Sequence, residues 1–326
     1  MRCAVLGAGN WGSIFGMMIR ELGNEVVLWE YDRDRAKRLA QTRDNRPFLE
    51  GSLIPEDILV TSDLERALEK ADVIILAIPS QTVAGWVGSL PTDKSILSLV
   101  KGIDYKRRKT TSQILNERID SERIAVLAGP SIANEVFYHH PTTVVIASTS
   151  EKLAQFFQKN FSSQYFRIYT STDVIGIEIG GAYKNTLAIG CGICDGLGYG
   201  SNAKAALITR GLSEMKRFAV AFGGRGETIF GLAGLGDLIT TAFSPHSRNR
   251  RFGAEIGRGK DPEQIAKEMV MVAEGYYSTP AIVAMAEEAG INLPIAQAIF
   301  EVIVNKTQPL DLVKGLMLRP LRPEEG

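Results

Sequence analysis

Lys184 is the one charged residue in the stretch GGAYKNTLAIG, Gly180 to Gly190. An ammonium set among glycine, alanine, leucine and isoleucine has little water to support its charge. Desolvation of that kind lowers an amine's pKa, toward the range in which a lysine works as general acid or base. If residues 173–194 form one helix, the neighbours of Lys184 at three and four positions are Gly180, Gly181, Leu187 and Ala188, none of which can pair with it. Five glycines (176, 180, 181, 190, 192) fall in that helix. Each costs roughly 1 kcal/mol against alanine, a cost tolerated where something must approach the backbone closely. Spacing alone leaves two readings open: a proton carrier, or a lysine whose aliphatic stem runs along an apolar surface to water.

Other pieces could complete such a centre. SLVKG places Lys101 at the end of a strand, and LAGPSIANE does the same for Gly129, Pro130 and Ser131. Open α/β sheets bind ligands at that carboxyl edge. GLAGLGDL presents Asp237 after a run of glycines, a carboxylate able to pair with a lysine. SPHSRNRRFG puts Ser247, Arg248 and Asn249 at a helix start, ahead of Arg250 and Arg251. This suits a phosphate monoester, although a solvated face explains the arginine run equally well. Cys191 and Cys194 form C-x-x-C near a helix end rather than a helix start, and read as packing residues. His139 and His140 lack further ligands at metal spacing and read as loop.

These residues need elements to hold them. GAGNWG (Gly7, Gly9, Gly12) lies between strand CAVL and helix SIFGMMIREL. In that context the glycines permit a tight turn, close approach of a pyrophosphate and close helix–strand packing. The helix N-terminus adds unpaired N–H groups. Glu30, at the end of VVLWE, stands where an acidic side chain would bind the adenosine ribose and favour NAD. Arg33 and Arg35 just beyond it favour a 2′-phosphate and so NADP, and the two signals conflict. The apolar runs CAVLG, EVVLWE, DVIILAIP, SILSLV, RIAVLAGP, TTVVIAS and RIYTS alternate with helical stretches, which predicts a parallel sheet covered on both faces. After Asp173 helical patterns take over, at 173–194, 203–222, 261–272 and 278–289. The expected organisation is an α/β Rossmann-like domain over 1–172 and an all-α domain over 173–326, with TSTD capping a helix that starts at Val174.

Composition sets limits. The chain of 326 residues has 37 basic and 37 acidic side chains and is 45% hydrophobic. A neutral chain without a long basic run argues against nucleic acid or an anionic membrane as the main partner. No apolar run reaches the length of a membrane span, and MRCAVLGAGNWG reads as a strand and turn rather than a cleavable signal. The cysteines Cys3, Cys191 and Cys194 are too few for a disulfide framework, and a cytoplasmic location is expected.

Taken together, GAGNWG, IPSQ, VKGI, AGPSIANE, PTTVVIAS, DVIGIEIGGAYKN, NAKAALITRGL, GLAGLGDL, SRNRRFG and EGYYST resemble the bacterial-type NAD(P)-dependent glycerol-3-phosphate dehydrogenases. They cover nearly the whole chain in that family's order. The resemblance implies interconversion of sn-glycerol 3-phosphate and dihydroxyacetone phosphate with NAD or NADP, in support of phospholipid synthesis, by a cytoplasmic homodimer. It makes Lys184 the proton acceptor, with Lys101 beside cofactor and substrate and Asp237 as a substrate-site carboxylate. Gly129 and Ser131 become substrate contacts, and Ser247, Arg248 and Asn249 the site for the phosphate end. Asn10, Trp11, Tyr31, Ala133, Val272 and Glu274 become cofactor contacts, with Arg248 and Lys101 also near the cofactor. The chain departs from the pattern in two places. Tyr31 stands where many members carry a basic residue, and YHHP replaces a glycine-containing turn. Two other readings compete. A related dehydrogenase of hydroxy acids or 6-phosphogluconate would share the glycine turn and the helical lysine, but does not predict GLAGLGDL followed by SRNRR. A non-catalytic cofactor sensor would have no need of Lys184 and Asp237.

Overall fold

The computed structural model describes residues 1–46, 48–49, 51, 53–271, 273–321 and 323–324. Eight strands form one sheet in the order Phe166–Ser171, Thr142–Ser148, Ile124–Ala128, Ser95–Ser98, Val73–Leu76, Arg2–Leu6, Glu25–Trp29, Leu59–Thr61. All the expected apolar runs are strands, and Leu59–Thr61 is an edge strand the pattern did not reveal because it is only 3 residues long. The pairing is parallel except between Ile124–Ala128 and Thr142–Ser148, which run antiparallel. There the chain turns back through the short helix Ala133–Phe137 instead of making a full crossover. Leu6 is in register with both Trp29 and Leu76. Gly7, Glu30 and Ala77 therefore emerge together at one edge. Separate apolar cores fill the two faces of the sheet.

The helix Asn10–Glu21 buries one continuous stretch from Gly12 to Ile19. Gly7 has φ +116°, a conformation open to glycine, and a Cβ there would lie 2.5 Å from the carbonyl oxygen of Ala77. A Cβ on Gly12 would lie 2.0 Å from the Gly7 carbonyl oxygen.

The helix carrying Lys184 runs from Val174 to Gly196, slightly beyond its expected end. Asp173 caps it, accepting from the Gly176 amide at 3.0 Å, which satisfies one of the donors that a helix start leaves free. From Gly176 to Cys194 every residue is buried, so this helix has no wet face. Its neighbours are Ser201–Ala221, Asp237–Phe243, Arg248–Gly257 and Glu274–Glu288, packed with it into a third core. The glycines allow the closest of these contacts. A Cβ on Gly192 would fall 2.0 Å from the Arg250 carbonyl oxygen, and one on Gly253 would fall 2.0 Å from that of Ile189. Cys191 and Cys194 are free and buried within the same packing. The expected helix over 261–272 is shorter, Pro262–Glu268, and the next begins earlier than expected, at Glu274. Glu178 joins the long helix to the sheet half by accepting from the Ser112 amide at 2.8 Å. Among the described residues, no helix is long and apolar enough to cross a membrane.

Candidate active site

At the sheet edge, the N-terminus of Asn10–Glu21 has no acidic residue in its first turn and no side chain capping it, so its N–H groups and partial positive charge are free. The place where a Gly9 Cβ would sit is open space. The Asn10 Nδ2 donates to the Phe48 carbonyl at 2.6 Å. The Asn10 Oδ1 and the Trp11 Nε1 are buried without a partner among the described residues. Buried polar atoms are usually satisfied, so two orphans beside an open glycine turn fit a polar ligand such as a dinucleotide. Tyr31 stands 70% exposed just past the second strand. Ala133 begins the short helix that packs on the first helix. Val272 lies outside the described residues.

The second cluster centres on Asp237, which is 2% exposed. Its Oδ1 accepts from the Lys184 Nζ at 3.0 Å and its Oδ2 from the Lys101 Nζ at 2.8 Å. Lys101 also donates to the Gly129 carbonyl at 2.8 Å and to the Ser131 Oγ at 3.1 Å. Gly129 can turn its carbonyl this way because it holds φ +126°. Lys184, 7% exposed, makes its second bond to the Thr241 Oγ1 at 2.7 Å. Thr241 is one turn after Asp237 on the helix Asp237–Phe243 and donates to the Asp237 carbonyl at 2.6 Å. A widened helical turn, Leu232–Gly236, leads into that helix and delivers Asp237 to the centre.

The electrostatics follow from this geometry. Burial pushes the Lys184 ammonium down to about 8, with Asp237 opposing the shift and Lys101 and Arg248 adding to it. Burial pushes the Asp237 carboxyl up, but Lys101 and Lys184 outweigh that and hold it below the ordinary carboxylate range. Lys184 is thus a cation near its titration point, beside a carboxylate that stays ionised.

Amide bonds tie the surrounding segments together. Asn185 Nδ2 donates to the Lys101 carbonyl at 2.9 Å, and its Oδ1 accepts from the Asn249 Nδ2 at 2.8 Å. Asn249 Oδ1 in turn accepts from the Gly275 amide at 2.9 Å. Glu274 accepts from the Ser80 amide at 3.2 Å and the Ser80 Oγ at 2.5 Å. Gly102 is a glycine because a Cβ there would meet Ser80 Oγ at 2.4 Å and Glu274 Oε2 at 2.6 Å. Ser247 spends its Oγ as the cap of Arg248–Gly257, accepting from the Arg250 amide. Arg250 and Lys204 are pinned by Asp195 at 2.6 and 3.0 Å. Arg248 makes no hydrogen bond or ion pair with any described residue, although it senses Glu274 and its charge reaches Lys184. Its side chain is open to solvent while protein surrounds it, as befits a cation lining a cleft.

The structure therefore brings Lys184, Lys101, Asp237, Gly129 and Ser131 into one centre and puts Arg248 within electrostatic range of it. It groups Gly7, Gly9, Asn10, Trp11 and Gly12 at the glycine turn. Asn249, next to Arg248 on the same helix, is 8% exposed, with its side-chain amide bonded to Asn185 and Gly275. The sequence reading missed Thr241, Asn185 and Ser80. Thr241 could have been found, since four residues after Asp237 is the same helix face.

A glycine-turn sheet region set against a helical region, with a buried lysine of lowered pKa held by a carboxylate between them, is the arrangement of a dinucleotide-dependent dehydrogenase. The family models for the N-terminus and the C-terminus of NAD-dependent glycerol-3-phosphate dehydrogenase match residues 2–154 and 173–314. The chain belongs to this family and is an NAD(P)-dependent oxidoreductase of that kind. It is 42% identical to a glycerol-3-phosphate dehydrogenase [NAD(P)+] of Chlorobium limicola, over 99% of both chains. The crystal structure of glycerol-3-phosphate dehydrogenase from Coxiella burnetii superposes with a TM-score of 0.92 at 34% identity, covering 98% of this chain and 99% of that one. A D-mandelate dehydrogenase, at 18% identity and a TM-score of 0.65 over 96% of this chain and 100% of that one, shares the fold alone.

Proposed function

We propose that Lys184 moves the proton at the C2 oxygen as sn-glycerol 3-phosphate and dihydroxyacetone phosphate interconvert, within units taken as residues 1–172 and 173–326. The observation carrying this reading is a buried lysine brought down to about 8 while bonded to an ionised carboxylate. When bound, the nicotinamide exchanges a hydride with C2; Gly7, Gly9, Asn10, Trp11 and Gly12 would hold the pyrophosphate end of the dinucleotide. In oxidation, neutral Lys184 takes the hydroxyl proton. In reduction, its ammonium returns that proton to the developing alkoxide. Asp237 keeps the amine aimed and supports its charged form, while Lys101 lowers the proton affinity of Lys184 and presents a cation to the substrate oxygens. Arg248, whose guanidinium has no partner among the described residues, holds the phosphate. Binding energy from that remote dianion fixes C2 against the nicotinamide. Gly129 and Ser131 set Lys101. Tyr31, Ala133 and Glu274 are the further residues assigned to the cofactor.

The product supplies phospholipid synthesis, and the protein works as a cytoplasmic homodimer; family likeness and the three free cysteines support this part of the reading. Lys184→Ala tests the core of it. Turnover of dihydroxyacetone phosphate with NADH or NADPH should fall by about 10²–10⁴-fold, the usual contribution of general acid–base catalysis, with cofactor affinity little changed. Near-normal turnover in the variant would end the role given to Lys184.

A further inference from the structure

Beneath the glycine turn, a second ion pair is buried that the proton chemistry does not use. Glu30 closes the second strand and is 2% exposed. One carboxylate oxygen accepts from the Asp32 amide at 3.1 Å. The other is paired with Arg35 Nη1. The Arg35 Nη2 donates to the Ala8 carbonyl, inside the glycine turn, and to the Asn45 Oδ1 at 2.9 Å. Asn45 Nδ2 itself donates to the Ala8 carbonyl at 3.0 Å and to the Ser13 Oγ at 2.8 Å. The Phe48 ring covers the guanidinium at 4.0 Å. Both terminal nitrogens of Arg35 are thus engaged, tying Glu30, the glycine turn and Asn45 together.

This resolves the conflict between Glu30 and the arginines that follow it. Resting on the dinucleotide reading of the glycine turn, we propose that the Glu30–Arg35 pair selects a cofactor whose adenosine ribose carries a free 2′-hydroxyl, NADH, over its 2′-phosphorylated counterpart, NADPH. In this fold the adenosine ribose lies at the end of the second strand. A 2′-phosphate placed there meets the Glu30 carboxylate. Arg35 is the cation beside it, and turning Arg35 to the phosphate strips the buried Glu30 of its counter-charge. Breaking a buried pair from one side is strongly unfavourable. Arg46 is paired with Asp44. Arg33 is exposed at the helix start between Asp32 and Asp34, where water screens its charge. A ribose hydroxyl, by contrast, brings no charge and can share the Glu30 oxygen that accepts from Asp32.

The test titrates NADH and NADPH onto the full-length protein without substrate and reads the dissociation constants by calorimetry. The wild type should bind NADH at least about tenfold more tightly than NADPH, one step of roughly 1.4 kcal/mol. Glu30→Gln keeps the shape, removes the charge and frees Arg35, so the NADPH-to-NADH affinity ratio should rise by about tenfold or more. Arg35→Gln should not weaken NADPH selectively, because Arg35 is not the phosphate's partner in the wild type. Equal affinities in the wild type, or a selective loss of NADPH in Arg35→Gln, would overturn the proposal even if Glu30→Gln failed to fold. Wild-type oxidation of NADH dependent on dihydroxyacetone phosphate is measured alongside. Absence of that oxidation with a preserved affinity ratio refutes the dehydrogenase chemistry and leaves the pair's selectivity standing; binding of neither dinucleotide overturns both.

Discussion

Replacing Asp237 by asparagine removes one negative charge and little else from the centre. The lost charge lies 3.0 Å from the Lys184 Nζ, and at an effective dielectric constant near 20 such a charge is worth about 5 kcal/mol to the ammonium. Relaxation and entering water recover part of this. Since one pKa unit corresponds to about 1.4 kcal/mol, retention of a quarter to a half of the loss moves Lys184 down by roughly one to two units. Lys184 would then titrate at or below neutrality rather than at about 8. The direction follows from the charge type. Reduction needs the ammonium, so its rate falls as pH rises through the lysine's pKa, and that fall should come earlier in Asp237→Asn. Oxidation needs the free amine, so its rise with pH should also shift to the acid side. Initial rates in both directions, with both substrates saturating and across the neutral range, report the value in the bound complex. An inflection that stays in place or moves upward would refute the claim that this carboxylate supports the charge on Lys184.

Arg248→Ala should raise KM for dihydroxyacetone phosphate by about 10²-fold, the cost of a lost charge-assisted bond, and leave the slow reaction of unphosphorylated dihydroxyacetone nearly unchanged. Steady-state rates on the two substrates check this. Gly192→Ala drives a methyl into the Arg250 carbonyl oxygen, 2.0 Å from the ideal position. It should lower stability by about 1–3 kcal/mol, seen as a reduced Tm, and disturb Arg248 on the same helix enough to raise KM.

Much of this arrangement could be read from the chain, because local chemistry and tertiary role coincide there. The glycines at 7 and 12 mark a turn that no other residue fits, and each apolar run became a strand. The isolation of Lys184 on its own helix was legible from spacing, since no residue at helical distance could pair with it. Its real partners lie 53 and 57 positions away, a separation that periodicity does not reach; the family's motifs supplied Asp237 and not Thr241. The role of the Asn185–Asn249 bond was equally hidden, because an asparagine looks alike in a loop and in a buried amide chain. The antiparallel strand pair escaped for another reason. A short apolar run has no direction of its own, and only the length and path of the connection decide it. For Arg33 and Arg35 the residue type could not tell a phosphate ligand from a buried tie, and the contacts of Arg35 with Glu30 and Ala8 separate the two.

The chain of amides from Lys101 through Asn185 and Asn249 to Gly275 has a consequence for how this enzyme can be taken apart. Lys101 comes from the sheet half, while Asp237 and Asn185, which hold its ammonium and its carbonyl, come from the helical half. Neither half alone holds the Lys101–Asp237–Lys184 cluster. A separately expressed sheet half would keep the glycine turn but carry a lysine with no carboxylate. A separately expressed helical half would bury Lys184 and Asp237 without the second ammonium that sets their balance. Any exchange of halves between relatives must therefore carry this seam across intact.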